Sequence, residues 1–214
     1  MNHKSDFHED LRFGQMGEYL MGNFFINIIN ENNKKFNKNF RYSITEISSV
    51  KDWDFAALAY DLVDPQNSEK QSIWPNLNQP KLLVEVKTDK YKIRTGNLFI
   101  EASYKRGKSG ISNTKSKWYI YFFIRRDLYP TGDNVFIFKT ENLRHICGDY
   151  KHALTSGGDK NKSMGYLIPI NQLEVKYKDM YKSYRFDDFS FSQDVEKSAE
   201  TISRVKKIES LKFL

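Results

Sequence analysis

Glu85 and Lys87 stand two residues apart in the run Leu82-Leu83-Val84-Glu85-Val86-Lys87. Side chains alternate across a strand, so the carboxylate and the ammonium share one face while Val84 and Val86 share the other. An ordinary amphipathic strand explains that pattern by itself. Asp54 shifts the weighting. It lies in Asp52-Trp53-Asp54-Phe55-Ala56-Ala57-Leu58, and an acid beside an apolar run is costly to bury without compensation. A divalent cation held by Asp54 and Glu85 would compensate it. Mg²⁺ suits such a pair, because it takes one or two carboxylates together with waters and phosphate oxygens. The bland reading of Asp54 is a turn or strand-edge acid, and Asp52 competes with it for any role.

A third carboxylate belongs to Gly14-Gln15-Met16-Gly17-Glu18. On a helical wheel Glu18 lies at the border of the apolar arc, with Gly14 and Gly22 four residues before and after it. A mid-helix glycine costs about 1 kcal/mol relative to alanine, so close packing against a sheet, or the approach of a metal-bound water, would explain them.

Charge placement points the same way. Between Lys81 and Arg126 there are twelve Lys and Arg against three acids, a net +9, whereas the whole chain carries +7. The rest of the chain is therefore slightly acidic, and the positive charge gathers around the proposed carboxylates, where a phosphate backbone would lie. Lys105, Arg106, Lys108, Lys115 and Lys117 are the candidate backbone contacts. Tyr104, Trp118 and Tyr119 offer stacking surfaces, with Trp118 better suited to the core.

The 214 residues suit one domain with a short appendage, and 39% hydrophobic with 15% aromatic content excludes wholesale disorder. Cys147 is the single cysteine, so no intrachain disulfide forms and a reducing compartment fits. The four histidines lack ligand-like spacing with cysteine, which argues against structural zinc. A polar N-terminus and the absence of a long apolar run suggest a soluble cytoplasmic protein without a membrane partner.

To hold these groups the periodicity predicts a helix over 10–30, a loop over 31–39, strands over 41–49 and 54–63, and a loop over 64–80. Strands come next at 81–88 and 98–102, then a basic, turn-rich 105–117 with room for one short helix. Residues 118–125 are almost continuously apolar, as in a strand buried on both faces. A strand at 135–139, a helix at 140–147, a loop at 155–163, an extended 166–170 and an amphipathic helix at 193–210 complete the reading. The order of elements predicts a mixed α/β domain.

With Asp54, Glu85-Val86-Lys87 and Glu18 in this order, the chain resembles the PD-(D/E)xK nuclease superfamily, the fold of many restriction endonucleases, phage exonucleases and junction resolvases. The resemblance covers residues 10–126, with Trp53 standing where the family's name puts proline. It implies a restriction-endonuclease-like core, a central mixed β-sheet flanked by helices in the order α-β-β-β-α-β, over 1–170, with a C-terminal helical extension over 171–214 packed on it. A narrower likeness to phage and viral nuclease-like proteins runs through Thr95–Glu101, Ser109-Gly110-Ile111, Thr114-Lys115 and Trp118-Tyr119. It implies that Glu101 sits on the strand next to Glu85 and that Lys115 opens the following helix near the scissile phosphate.

The activity implied by the resemblance is that of a Mg²⁺-dependent DNA nuclease, with Mn²⁺ able to substitute, leaving a 5′-phosphate and a 3′-hydroxyl. Asp54, Glu85 and the Val86 carbonyl would hold the metal, Lys87 would position the attacking water, and Glu18 would bind metal through water or orient Lys87. An endonuclease or branched-DNA-cutting enzyme, acting alone or as a homodimer, is favoured. Two other readings compete: a nucleic-acid-binding protein on the same fold without catalysis, and a viral structural or interaction protein whose Glu-x-Lys is only an exposed strand face.

Overall fold

A computed structural model describes residues 3–47, 53–63, 71–89, 96–104, 107–123, 133–157 and 163–185. The helix expected at 193–210, like Lys105 and Arg106, lies outside them. Among the described residues the fold is α/β, with three α-helices and a mixed central sheet.

Helix α1 spans His3–Lys35. Its apolar residues recur at helical spacing and bury Leu20, Met21, Phe24 and Phe25 in one core. The helix outruns its expected end because the stop is made by Asn37, not by the Asn-rich stretch before it. Asn37 adopts φ 51°, a left-handed conformation that asparagine tolerates. There the Lys38 amide donates to the Asn33 carbonyl at 2.8 Å and the Asn37 amide to that of Lys34 at 3.0 Å. This is the Schellman arrangement that satisfies a helix's last carbonyls.

Strands β1 (Phe40–Ile47), β2 (Phe55–Leu62) and β4 (Leu82–Asp89) pair antiparallel in turn, and β4 pairs parallel with β7 (Trp118–Phe123). Antiparallel β8 (Asp133–Lys139) and β11 (Tyr181–Arg185) continue the sheet. Residues 171–185 thus supply a sheet strand, preceded by helix α3 (Ile170–Lys176). Strand β3 (Gln71–Pro75) pairs with the far half of β2. It falls inside an expected loop because its Ile73 and Trp74 are exposed, so no buried alternation marks it.

Strands β5 (Asn97–Tyr104), β6 (Gly107–Lys108), β9 (Leu154–Gly157) and β10 (Ser163–Pro169) form a second, antiparallel sheet in the order β6-β5-β10-β9. Parallel neighbours need a crossover, usually helical. Here the β4-to-β7 crossover carries β5, β6 and, within the turn-rich 105–117, a single 3₁₀ turn at Gly110–Ser112 but no α-helix among the described residues.

Two cores result, one on each face of the central sheet. Ile120 and Phe122 of β7 enter the α1 core with Val84 and Val86. Tyr119, Tyr121 and Phe123 enter the other, against β5, β10 and helix α2 (Thr140–Asp149). The alternation in β7 explains why it reads as unbroken apolar sequence. Phe122 is fully buried, and truncating such a residue to alanine costs about 3–5 kcal/mol.

Candidate active site

The β4 register fixes the central pair. Glu85 lies beside Tyr119 and Lys87 beside Tyr121, so both share the face turned to the second core while Val84 and Val86 face α1. Asp54 immediately precedes β2. Its amide donates to the Val84 carbonyl at 2.9 Å, and its Oδ2 accepts the Val86 amide at 2.6 Å. Adjacent strands therefore bring Asp54 to the Glu-x-Lys segment across the intervening loop.

Burial, then the negative charges of Glu85 and Glu18, push the Asp54 carboxyl up to about 8, while the Val86 amide and the Lys87 ammonium oppose the shift. Burial and Glu85 likewise push Glu18 up to about 7. Glu85, Glu18 and Lys87 thus act electrostatically on Asp54, and Glu85 on Glu18, from β4, α1 and the approach to β2. No three His, Cys, Asp or Glu side chains close into a tight ligand cluster among the described residues. A closed cluster would suit a cation wrapped in protein ligands, whereas Mg²⁺ keeps several waters and needs only one or two carboxylates. Asp54, whose proton affinity Glu85 and Glu18 both raise, and the Val86 backbone beside it are compatible with a site of that second kind.

Glycine placement explains how α1 comes so close. A Cβ at Gly17 would stand 2.0 Å from the Thr88 hydroxyl oxygen, and one at Gly22 would touch Ile44 at 3.0 Å. Gly14 meets nothing within 4 Å, so of the two glycines singled out by spacing only Gly22 is a packing residue. Gly17, adjacent to Glu18, is the tighter contact.

Glu101 does not lie on a strand next to that of Glu85. Its strand β5 belongs to the second sheet, and β4 is flanked by β2 and β7. The Glu101 carboxylate instead accepts the hydroxyls of Ser109 and Ser163, each at 2.7 Å. It thereby anchors the turn at Gly110, whose φ of 49° and 2.4 Å approach of a would-be Cβ to the Glu101 carbonyl admit only glycine. Lys115 opens no helix. It is exposed in the segment between the 3₁₀ turn and β7, with Lys108 and Lys117 exposed nearby in sequence. Tyr119 is 1% exposed and cannot stack on a base from the surface. Trp118 packs on Phe25 with ring centroids 5.5 Å apart, in the core as its apolar run suggests. Trp53 is buried beneath Lys81, whose ammonium lies 5.3 Å from the ring centre.

Three polar residues are given no role by the sequence, although Thr114 falls in the run that carries the narrower likeness. Thr114, 4% exposed, donates its hydroxyl to Glu85 Oε2 at 2.9 Å. Ser116, also 4% exposed, shares a 2.9 Å hydrogen bond with the Thr114 hydroxyl. Arg144 of α2 donates to the carbonyls of Thr114 at 2.6 Å and Ile111 at 3.2 Å. The alternation Thr114-x-Ser116 leading into an apolar strand reads as loop. Beside this segment a cleft of about 450 Å³ is lined by Lys117, Lys139 and Arg144 among others.

No helix among the described residues is long and apolar enough to cross a membrane. No family profile, curated protein or solved structure matches this chain.

Proposed function

We propose that this chain is a Mg²⁺-dependent deoxyribonuclease of the PD-(D/E)xK kind, cutting phosphodiester bonds at Asp54, Glu85 and Lys87. The observation that carries the reading is the 2.6 Å hydrogen bond from the Val86 amide to Asp54 Oδ2, which joins an acid before β2 to the Glu85-x-Lys87 segment of β4, with Glu18 of α1 coupled electrostatically to both acids. Buried like charges are expensive unless a cation or chemistry gives them a purpose. The order α1, β1, β2, β4, crossover, β7 supports the same core, with a small sheet occupying the crossover where the family has a helix.

Asp54, Glu85 and the Val86 carbonyl would hold Mg²⁺, with Mn²⁺ as a substitute. When bound, the ion polarises the phosphate and lowers the pKa of water. Lys87 orients the attacking water and stabilises charge growing on the phosphoryl oxygens, a task suited to a compact point charge on a flexible stem. Val86's amide holds Asp54 in place through its 2.6 Å bond, so the carboxylate is aimed before any ligand arrives. Glu18 supports the site through its charge. Lys108, Lys115 and Lys117, with Lys139 across the cleft, grip the phosphate backbone without reading bases.

Cleavage of linear, nicked, flapped and four-way DNA in the presence of Mg²⁺ or Mn²⁺, abolished by chelator and by Lys87→Ala, is the expected result. Tight binding without cleavage under either metal would replace this reading with that of a binding protein.

A further inference from the structure

Glu85 is held by more than its strand. Thr114 Oγ1 lies 2.9 Å from Glu85 Oε2 and 2.9 Å from Ser116 Oγ, and it accepts the Ser116 amide at 3.2 Å. A hydroxyl has one proton, and an ionised carboxylate can only accept. The Thr114 proton therefore goes to Glu85, and the Ser116 hydroxyl must donate to Thr114. This gives a directed chain, Ser116 to Thr114 to Glu85, that is complete when Glu85 is ionised. The backbone around it is pinned as well. The Thr114 amide donates to the Gly110 carbonyl at 2.9 Å, the Thr114 carbonyl accepts Arg144 at 2.6 Å, and the Lys117 amide donates to the Leu83 carbonyl at 3.0 Å.

Fixed outer partners are what orient metal-binding carboxylates. We infer that Thr114, braced by Ser116 and Arg144, is a positioning residue that aims the Glu85 carboxylate at the divalent metal. The inference rests on the nuclease reading above for the metal itself. Thr114 touches neither substrate nor metal. It acts through Glu85.

The test is isothermal titration of the purified full chain with Mn²⁺, without DNA, for wild type, Thr114→Val, Thr114→Ser and Ser116→Ala. Valine keeps the shape and removes the hydroxyl, whereas serine keeps the hydroxyl. A hydrogen bond to a charged group corresponds to roughly a ten- to hundredfold change in affinity. Thr114→Val should weaken Mn²⁺ binding by that factor, Ser116→Ala by less, and Thr114→Ser should restore it to within about threefold, since its hydroxyl is retained. Single-turnover cleavage by Thr114→Val should recover as Mn²⁺ is raised. Unchanged Mn²⁺ affinity in a folded Thr114→Val overturns the inference while leaving the nuclease reading intact. Should Thr114→Val fail to fold, wild-type affinity in Ser116→Ala together with weakened binding in Thr114→Ser overturns it. Wild type that binds Mn²⁺ but cuts no DNA overturns the nuclease reading alone. Wild type that binds no Mn²⁺ overturns both.

Discussion

Replacing Gly17 with alanine tests how the helix and the carboxylates are held together. The added methyl would stand 2.0 Å from Thr88 Oγ1, 2.9 Å from its Cγ2 and 3.0 Å from its Cβ. Rotating the threonine exchanges hydroxyl for methyl but cannot relieve the approach to Cβ, which is fixed to strand β4. Helix α1 must therefore retreat. Alanine gains about 1 kcal/mol of helix propensity over glycine. Overpacking costs about 1–3 kcal/mol, and a clash this close to the backbone belongs at the upper end. The balance is a destabilisation of about 1–2 kcal/mol, or roughly 2–8 °C in Tm for a chain of this size. Calorimetry on wild type, Gly17→Ala, Thr88→Ala and the double variant measures it. The Thr88 hydroxyl oxygen is buried without a hydrogen-bond partner among the described residues, so its removal costs little. In the double variant the new methyl fills the vacated space, and stability should exceed that of Thr88→Ala alone. Gly14→Ala, which meets nothing within 4 Å, should instead be stabilising by about 1 kcal/mol. A Gly17→Ala protein as stable as wild type would refute the close approach of α1 to β4, and with it the placing of Glu18 near Glu85.

The metal-free protein should lose stability as pH rises. Asp54 and Glu18 have folded-state pKa values of about 8 and about 7, above their ordinary values of 3.8 and 4.5. Between those limits the folded chain binds more protons than the unfolded one, so the stability present at low pH is lost as pH climbs through 7 to 8. Thermal melts across pH 5 to 8.5 should show this fall. It should lessen in Asp54→Asn, and saturating Mg²⁺ at a hundredfold over Kd should add about 2.7 kcal/mol. A flat profile would contradict the burial of Asp54 and Glu18. For the backbone grip, Lys117→Ala and Lys139→Ala should each lower the slope of log Kd against log salt by about one, uniformly across DNA sequences. An unchanged slope in both would remove the cleft from the DNA path.

Much of the architecture is legible in the sequence because local pattern and burial agree. Strand β7 reads as apolar on both faces, and each of its faces enters a separate core. Strand β4 reads as alternating, and the register places Glu85 and Lys87 together on one face. Asp54 is readable from the cost of an acid beside Phe55. The features that escape are set by long-range contacts. Glu101 looks like a site residue by its place in a run, yet its partners are Ser109 and Ser163, the latter from a distant strand. Thr114 looks like a loop residue, yet its buried hydroxyl meets Glu85. Gly17 is hidden between two more regularly spaced glycines, and only the position of Thr88 distinguishes it. Local sequence carries no record of such meetings, since each depends on how two sheets and a helix dock.

Whether Asp54 and Lys87 cut DNA is decided by incubating the purified chain with plasmid and branched DNA, with Mg²⁺ and with chelator, beside Asp54→Asn and Lys87→Ala. A nuclease site built on these residues gives metal-dependent cleavage leaving 5′-phosphate ends, reduced by at least about a hundredfold in either variant while both still bind DNA. Cleavage that survives Asp54→Asn and Lys87→Ala, or none from wild type with either Mg²⁺ or Mn²⁺, would contradict it.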